Sequence, residues 1–502
     1  MSDLTPRLPR RPLMWPDSLL DIQDALVDDL DAPLYIVGGA VRDAYLGHPV
    51  KDLDLTTPGS AIAIGRQIAN RMNGDFYVLD SERDVARVLI ESAQGKLVID
   101  IARFRGNDLL EDLRYRDFTI NAMAVDLQSD LTHLIDPLDG ETDLIHRAIR
   151  RCSPHAISDD PVRALRAVRQ SVQFKARMEP ETIKDVRAAG QHLTQTSAER
   201  LRDELVKILT LEKPVAALRI ADALGLLVAV VPEIAPLHGL KQSHPNGLDV
   251  WGHTLAVIEK LRGLLATISP SRTEFSAAVF DYGMVVMALD RYRQQLQAHI
   301  ASQWASDRPH EWLLMLAALM HDSGKAQTAT LEDGRWRFHG HEALGAEMAA
   351  LRANALRLSN DEKQRLVALV QSHMHRVFWD ELSDLAIHRF WRGLGAAGVD
   401  VCLLVMADYL GAWGVEVSQD EWIRLVERSR RLLDAYYVDY DRLVAPPMLV
   451  DGKMLMESLE LQPGMIIGKL LDLIREAQVL GEIKVAEDAL QFARDYLKNQ
   501  TA

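Results

Sequence analysis

Cysteine is almost missing from this 502-residue chain, which has only Cys152 and Cys402, far apart and in no paired motif. That excludes a disulfide framework and suits a reducing compartment, so a cytoplasmic protein is expected. No apolar run approaches the roughly 18 residues a membrane-spanning helix needs. The run over 312–320 has the length of a buried helix instead, so no membrane partner is expected. The first residues carry arginine and proline without an apolar stretch, so no export signal is expected. An excess of basic charge is also lacking: 57 Lys and Arg stand against 72 Asp and Glu, a net charge of -15. This excludes a uniformly basic coat for nucleic acid but leaves room for a local basic face. Between 147 and 177, eight Lys and Arg stand against two acids, either a solvated helix face or such a patch. Internal repeats and low-complexity segments are absent.

What is present is an ordinary globular composition, 48% apolar and 26% charged. The length is too great for one hydrophobic core, so three or four domains are expected. An amphipathic helix over 19–30 leads into a mixed region. Strands are expected at 34–37, 52–56, 75–78, 85–91, 97–102 and 121–127, and helices at 41–46 and 60–72. Beyond about 155 the strand signals fade. Helices are expected at 160–175, 180–189, 197–209 and 214–224, through a long helical region from 244 to about 436, and at 467–480 and 486–498. The fold class is therefore α+β: an α/β head followed by helical regions.

The organising stretch is VGGAVRDAYLGHPVKDLDLTT, residues 37–57. Asp52 and Asp54 are two apart, so a strand there puts both carboxylates on one face, as a divalent metal requires. Exposed aspartate pairs are common, and the surroundings add the weight. Gly38 and Gly39 let backbone N–H groups approach a phosphate at a helix start, and Arg42 can pair with phosphate oxygens. Asp100 in LVIDIA is a candidate third carboxylate, or a strand-end aspartate with a structural hydrogen bond. Phe118, Ile120 and Ala122 alternate with Thr119 and Asn121, which reads as a half-buried strand entered by Arg116 and Asp117. In DDPVRALRAVR, residues 159–169, Asp160, Arg163 and Arg166 fall on neighbouring helical turns. Asp160 could accept from an exocyclic amine and Arg163 donate to a ring nitrogen and carbonyl, although such pairs are usually surface ion pairs.

In this order, GGAVRD, DLD, RYRDFTINAMA, DDPVRALRAVR and SAERLRDEL resemble the tRNA nucleotidyltransferase and bacterial poly(A) polymerase family, which has a polymerase-β-like head. The tail PPMLVDGKMLMESLELQPGMIIGKLL is similar to the end of family members. The resemblance implies metal-dependent transfer of CMP or AMP from CTP or ATP to the 3′ end of tRNA. Asp52 and Asp54 would be magnesium ligands. Gly39, Arg42, Arg116, Arg163 and Arg166 would hold nucleotide, with Asp160 and Arg163 as the template for the base. Two departures stand out: Asp159 replaces the usual glutamate, and only residues 101–115 separate the Asp100 strand from the Arg116 motif. CCA-adding relatives carry a longer flexible loop there, and the short one resembles the CC-adding specialists. CCA, CC-only, A-only and poly(A) addition all stay open.

Further on, His253, His321, Asp322 and Asp408 on a helical background resemble HD-domain metal phosphohydrolases, whose ligands suit a divalent transition metal or magnesium. His339, His341 and His373 are candidates for a second metal position. The expected organisation is an extension at 1–32, a head at 33–150, a neck at 151–240, an HD domain at 241–436 and a helical tail at 437–502. The alternative of another class is a phosphohydrolase whose head only binds RNA or nucleotide.

Overall fold

The computed structural model describes residues 4–26, 32–50, 52–92, 95–243, 247–270 and 280–501. The chain divides into two compact units, one of residues 1–211 and 216–230, the other of 212–215 and 231–502.

The first unit is built on a six-stranded mixed sheet. Its strands are β1 (Tyr35–Val37), β2 (Asp52–Thr57), β3 (Asp75–Asp80), β4 (Val85–Ser92), β5 (Gly95–Arg103) and β6 (Ala124–Asp126), in the order β3-β4-β5-β2-β1-β6. β2 and β5 run parallel, and the other neighbours are antiparallel. α1 (Asp17–Leu26) and α3 (Ala61–Met72) share a core with the sheet through Leu19, Ile22, Ile64, Ile68, Leu53, Leu55, Ile99 and Ile101. α3 is delimited locally: Ser60 caps its first turn, and Asn73 closes it in the left-handed region at φ 52°. Between β1 and β2 lies α2 (Gly39–Leu46). Further helices of this unit are α4 (Leu109–Arg114), α5 (Gly140–His146), α6 (Arg163–Gln173), α7 (Pro180–Ala189) and α8 (Ala198–Leu209).

Several expectations need correction. The half-buried strand over 118–122 is instead a 3₁₀ turn at Thr119–Asn121, and the strand is confined to β6. Thr119 and Asn121 are as buried as their apolar neighbours. Thr119 donates to Asp143 and Asn121 to Asp117, so these polar side chains turn inward and the alternation misleads. The helix expected from 160 begins at Arg163. The first helix ends, as far as the described residues go, at Leu26, and its expected continuation over 27–30 lies outside them.

The second unit is helical. Long helices Val250–Ile268, His310–Met320, His341–Ala355, Asn360–Ser372 and Ala397–Trp413 surround a core in which residues 312–320 are entirely buried. His244, the expected start of this region, lies outside the described residues. Two short hairpins, Gln303–Trp304 with Arg308–Pro309 and Thr330–Glu332 with Arg335–Arg337, interrupt a region expected to be purely helical. The loop expected before Gly464 contains the helix Gly452–Leu459, which joins Met465–Val479 and Ala486–Thr501 around a small core of Leu455, Leu470, Ile474 and Ala489. Among the described residues no single helix is long and apolar enough to cross a membrane.

Candidate active site and metal centre

On β2 the side chains alternate as a strand requires: Asp52 and Asp54 are exposed, and Leu53 and Leu55 are in the core. The parallel register sets Asp54 beside Asp100 of β5. Three carboxylates thus share one end of the sheet. Asp100 is not free, because Arg87 of β4 donates to both of its oxygens at 2.7 and 2.8 Å. Asp54 has no such fork. Its carboxyl is pushed above the usual carboxylate range by surrounding protein and by Asp100 and Asp52, partly offset by Arg116. It reaches solvent, yet lies on the floor of a cavity walled by protein, and the excess of negative charge at this corner suits a bound cation.

Gly38 ends the β1 side of this corner with φ 74°. A Cβ there would lie 2.8 Å from Asp54 Oδ2 and 3.2 Å from Arg116 Nη1, so glycine is demanded by both backbone and space. Arg42, one turn into α2, is buried. It donates to both Asp43 oxygens at 2.9 Å and to Asn121 Oδ1 at 2.5 Å, and its guanidinium lies 4.5 Å from the centre of the Phe174 ring. Its donors are thus largely engaged within the protein, although it lines the cavity next to Gly39, where a Cβ would lie 3.3 Å from Arg42 Nη2.

Arg166 and Arg169 are held by acids that the sequence reading left out of the site. Buried Asp117 accepts from Asn121, the Phe118 N–H and Arg166 Nε (2.8 Å), and these partners overcome burial to hold its carboxyl well below the usual range. Arg166 is correspondingly raised, chiefly by Asp117. Glu204 of α8 accepts from Arg169 Nε at 2.8 Å and from Lys207 at 3.3 Å. The sequence did carry a signal for Glu204, which sits at helical spacing between Leu201 and Ile208 on the buried face of α8. Asp160 and Arg163 come within 3.5 Å as their spacing requires, and Arg200 donates to Asp160 at 2.7 Å. Arg163 itself is buried, with Nη1 and Nη2 donating to the carbonyls of Tyr115, Arg116 and Ala156.

The three carboxylates, the glycine turn, Asp117, Asp160 and the arginines face one cavity of about 790 Å³, and Glu204 holds Arg169 from outside its lining. Among the described residues its lining has nine arginine and lysine side chains against six aspartates. A chain of net charge -15 therefore concentrates positive charge here, beside a carboxylate corner: the wall can hold a polyphosphate and the corner can hold cations.

Residues 34–150 match the family described as "Poly A polymerase head domain". Residues 177–237 match "Probable RNA and SrmB- binding site of polymerase A", and 295–412 match "HD domain". Over 466 residues the chain is 31% identical to an A-adding tRNA nucleotidyltransferase of Deinococcus radiodurans, covering 91% of this chain and 94% of that protein. The chain belongs to the tRNA nucleotidyltransferase family. It is a nucleotidyltransferase with a polymerase-β-like head and an HD domain. A CC-adding member from Thermus thermophilus is 29% identical over 92% of this chain and 95% of that one. In fold, the chain is similar to a CCA-adding enzyme in an apo form (TM-score 0.60, 20% identity, covering 95% and 94%). It is also similar to the Thermotoga maritima CCA-adding enzyme complexed with tRNA (TM-score 0.55, 21% identity, covering 96% of each chain).

The HD domain of this family member gathers His253, His321, Asp322 and Asp408, with His341 and His373 beside them. Helix ends place three of them, while Asp408 lies within the helix Ala397–Trp413. His321 and His373 directly follow the helices His310–Met320 and Asn360–Ser372, and His341 opens His341–Ala355. Each of the three presents Nδ1 to a carbonyl three residues back, that of Ala318, Val370 or Phe338, at 2.7–2.8 Å. A carbonyl only accepts, so the proton sits on Nδ1, and in the neutral ring Nε2 is a lone pair aimed inward. The Nε2 atoms of His341 and His373 are 3.2 Å apart, and lone pairs so placed repel unless a proton or cation lies with them.

Tetrahedral ligands at about 2.1 Å from a metal are themselves about 3.4 Å apart. Asp322 Oδ2 lies 3.5 and 3.2 Å from His253 and His321 Nε2, and Oδ1 lies 3.5 and 3.8 Å from His341 and His373 Nε2. At these spacings the six side chains would hold divalent cations, with Asp408 Oδ1 3.0 Å from His253 Nε2 and Lys325 Nζ 2.7 Å from Asp322 Oδ2. Burial pushes His373 down to about 3, which keeps it neutral, while His321 is raised and Asp322 lowered by their pairing against the effect of burial. Gly324 makes this packing possible, since a Cβ there would lie 2.2 Å from the His341 carbonyl oxygen. The expected candidate His339 does not join: its side chain is 78% exposed and faces Glu332 at 3.8 Å.

A third group, His299, His310 and Asp400, differs. Asp400 lies 2.8 Å from His299 Nε2 and 3.0 Å from His310 Nε2, hydrogen-bond distances, with Arg365 at 3.4 Å. The buried carboxylate is thus neutralised from within, and the group pins three helices together.

Proposed function

We propose that the head transfers CMP or AMP, or both, from CTP or ATP to the 3′ end of tRNA, completing all or part of its CCA terminus. The observation that carries this reading is the meeting of Asp52 and Asp54 with the glycine turn and the arginine wall in one cavity. The RNA 3′ hydroxyl oxygen attacks the α-phosphorus, the bond to the pyrophosphate oxygen breaks, and the hydroxyl proton is lost. Magnesium ions held by Asp52 and Asp54, with Asp100 behind them, would supply charge to the triphosphate and acidify the attacking hydroxyl. The backbone of Gly38 and Gly39, together with Arg116 and Arg166, binds and orients phosphate oxygens. Asp160, steadied by Arg200, accepts from the exocyclic amine that cytosine and adenine share. Arg163 reads the neighbouring ring atoms by exchanging its carbonyl partners.

The segment between β5 and α4 is only residues 104–108, and it is tied down. The N–H of Arg105 donates to Asp112 and that of Asn107 to Glu111, and Asp108 caps α4. This favours a partial-end specialist, adding CC or A, over a CCA-adding enzyme with a long mobile loop. The organisation fits a head at 33–150, a neck at 151–240, an HD domain at 241–436 and a tail at 437–502. With both cysteines unpaired, the cytoplasm is the fitting location.

In the HD domain we propose hydrolysis of phosphate esters at a pair of divalent transition-metal or magnesium ions held by the six histidine and aspartate ligands.

The test of the head is incubation of the full chain with magnesium, each nucleoside triphosphate separately, and tRNA lacking CCA or lacking only A, followed by sequencing of the ends. Incorporation of C or A is expected, lost by at least about a hundredfold in Asp54→Ala. No incorporation, or incorporation indifferent to that change, would overturn the reading.

A further inference from the structure

A second cavity in the first unit, of about 320 Å³, lies one side chain away from the catalytic one. Phe174, which ends α6, lines it, and the Arg42 guanidinium of the catalytic cavity lies 4.5 Å from the centre of the same ring. Ile120 and the buried Tyr45 join Phe174 in apolar and aromatic walls. Arg11, Arg147 and Lys175 also line the cavity. All three cations are exposed, and among the described residues none of them is in an ion pair. The acid in the lining, Asp143, is buried and already accepts from Thr119 and Arg150.

The basic run over 147–177 divides accordingly. Arg150 and Arg151 pair with acids, and Arg163, Arg166 and Arg169 belong to the catalytic wall. Arg147 and Lys175 have neither role, yet each holds a backbone position that ordinarily goes to glycine. Arg147, closing α5, has φ 55°, and Lys175, just past α6, has φ 51°. The left-handed region strains any residue with a Cβ, and glycine is the usual residue after a helix end. The helix dipole does not require cations there, since a cation in the last turn serves it without strain. Two strained cationic positions beside one cavity are thus accounted for by what their side chains hold.

We infer that this cavity binds a nucleoside phosphate, separately from the nucleotide of the catalytic cavity, with its base against Phe174 and its phosphate on Arg11, Arg147 and Lys175. Uncompensated cations match the near-double negative charge of a phosphate monoester. The aromatic wall matches a flat ring. The volume stands at the lower end of small-molecule sites, so it admits one nucleotide and not a strand. Occupancy touches Phe174 and, through it, Arg42.

The test uses the full chain labelled with 4-fluorophenylalanine in magnesium-free buffer, the Phe174 resonance being identified by its loss in Phe174→Leu. AMP or CMP is expected to shift that resonance, and inorganic phosphate at the same concentration to leave it in place. Arg147→Gly/Lys175→Gly is expected to raise the nucleotide concentration needed by about tenfold or more, as loss of charged hydrogen bonds requires. Its melting temperature is expected not to fall, because glycine is at ease in both backbone positions. Arg11→Ala, in an irregular segment, is expected to weaken the shift in the same direction. A resonance unmoved by both nucleotides overturns the inference, as does a shift that inorganic phosphate reproduces. A shift undiminished in the double glycine variant also overturns it, because the nucleotide is then acting from the catalytic cavity. So does a resonance that responds to tRNA lacking CCA but to neither nucleotide, which would make the cavity part of an RNA-binding surface.

Discussion

At the scale of single residues, the head site is controlled by two kinds of constraint. Gly38 is a constraint of space. Gly38→Ala must accept a left-handed backbone costing about 1–2 kcal/mol and a methyl group 2.8 Å from the Asp54 carboxylate. Nucleotide incorporation is expected to fall by about a hundredfold while circular dichroism stays native, since a small displacement of a reacting group has that effect. Asp117 is a constraint of charge. Asp117→Asn takes from half-buried Arg166 its nearer counter-ion, leaving Glu204 at 3.7 Å, and urea denaturation should show a loss of about 1–3 kcal/mol. The pH dependence follows with a definite sign. Asp117 and Asp400 are depressed in the folded protein by Arg166 and by His299 and His310 respectively, against the opposing effect of burial. Their contribution is therefore complete above the unfolded value of about 4, and is lost as pH falls from there toward the lower folded values. Asp400→Asn should flatten that acid limb, as measured by melting temperature against pH.

At the scale of elements, strands and helix ends do most of the positioning. The alternation along β2 and the parallel register with β5 are what turn a DLD string and a distant LVIDIA string into one carboxylate corner. Helix termini do the equivalent work in the HD domain, where last-turn carbonyls fix the tautomer of His321 and His373. The loop before α4 is another such device. Asp108→Ala removes its cap, at a cost of about 1 kcal/mol. Amide exchange at Arg105 and Asn107, whose N–H groups are now bonded to Asp112 and Glu111, is expected to speed up. If this tether restricts the enzyme to one kind of base, the same variant should misincorporate more often.

At the scale of the whole molecule, the chain carries two metal-suited centres in separate compact units. Replacing His321 and Asp322 by alanine should abolish phosphate release and leave nucleotide incorporation within about twofold of the parent. A chelator should stop both reactions, and magnesium alone should restore the head. Coupled loss of incorporation in the double variant would show that the units do not work independently.

Much of this was legible before any fold was seen, because it depends on local rules. Period-two alternation put Asp52 and Asp54 on one face, and the order of five motifs identified the family. Helical spacing brought Asp160 to Arg163, and a histidine-aspartate pattern located the HD centre. Long-range contact decided the rest. Neither the fastening of Asp100 by Arg87, nor the carbonyls that enclose Arg163, nor the burial of Thr119 and Asn121 could be read from neighbours in the chain. Arg87 is 13 positions from Asp100, Asp143 is 24 from Thr119, and Tyr115 is 48 from Arg163. His339 and His341 are two apart and chemically identical, yet one is exposed and the other faces Asp322. Residue types and their spacing determined which chemistries this protein carries. Tertiary structure alone decided which side chains are committed to holding the site together and which still face the cavity, because a hydrogen bond or ion pair forms between groups that the fold, not the sequence, brings within reach.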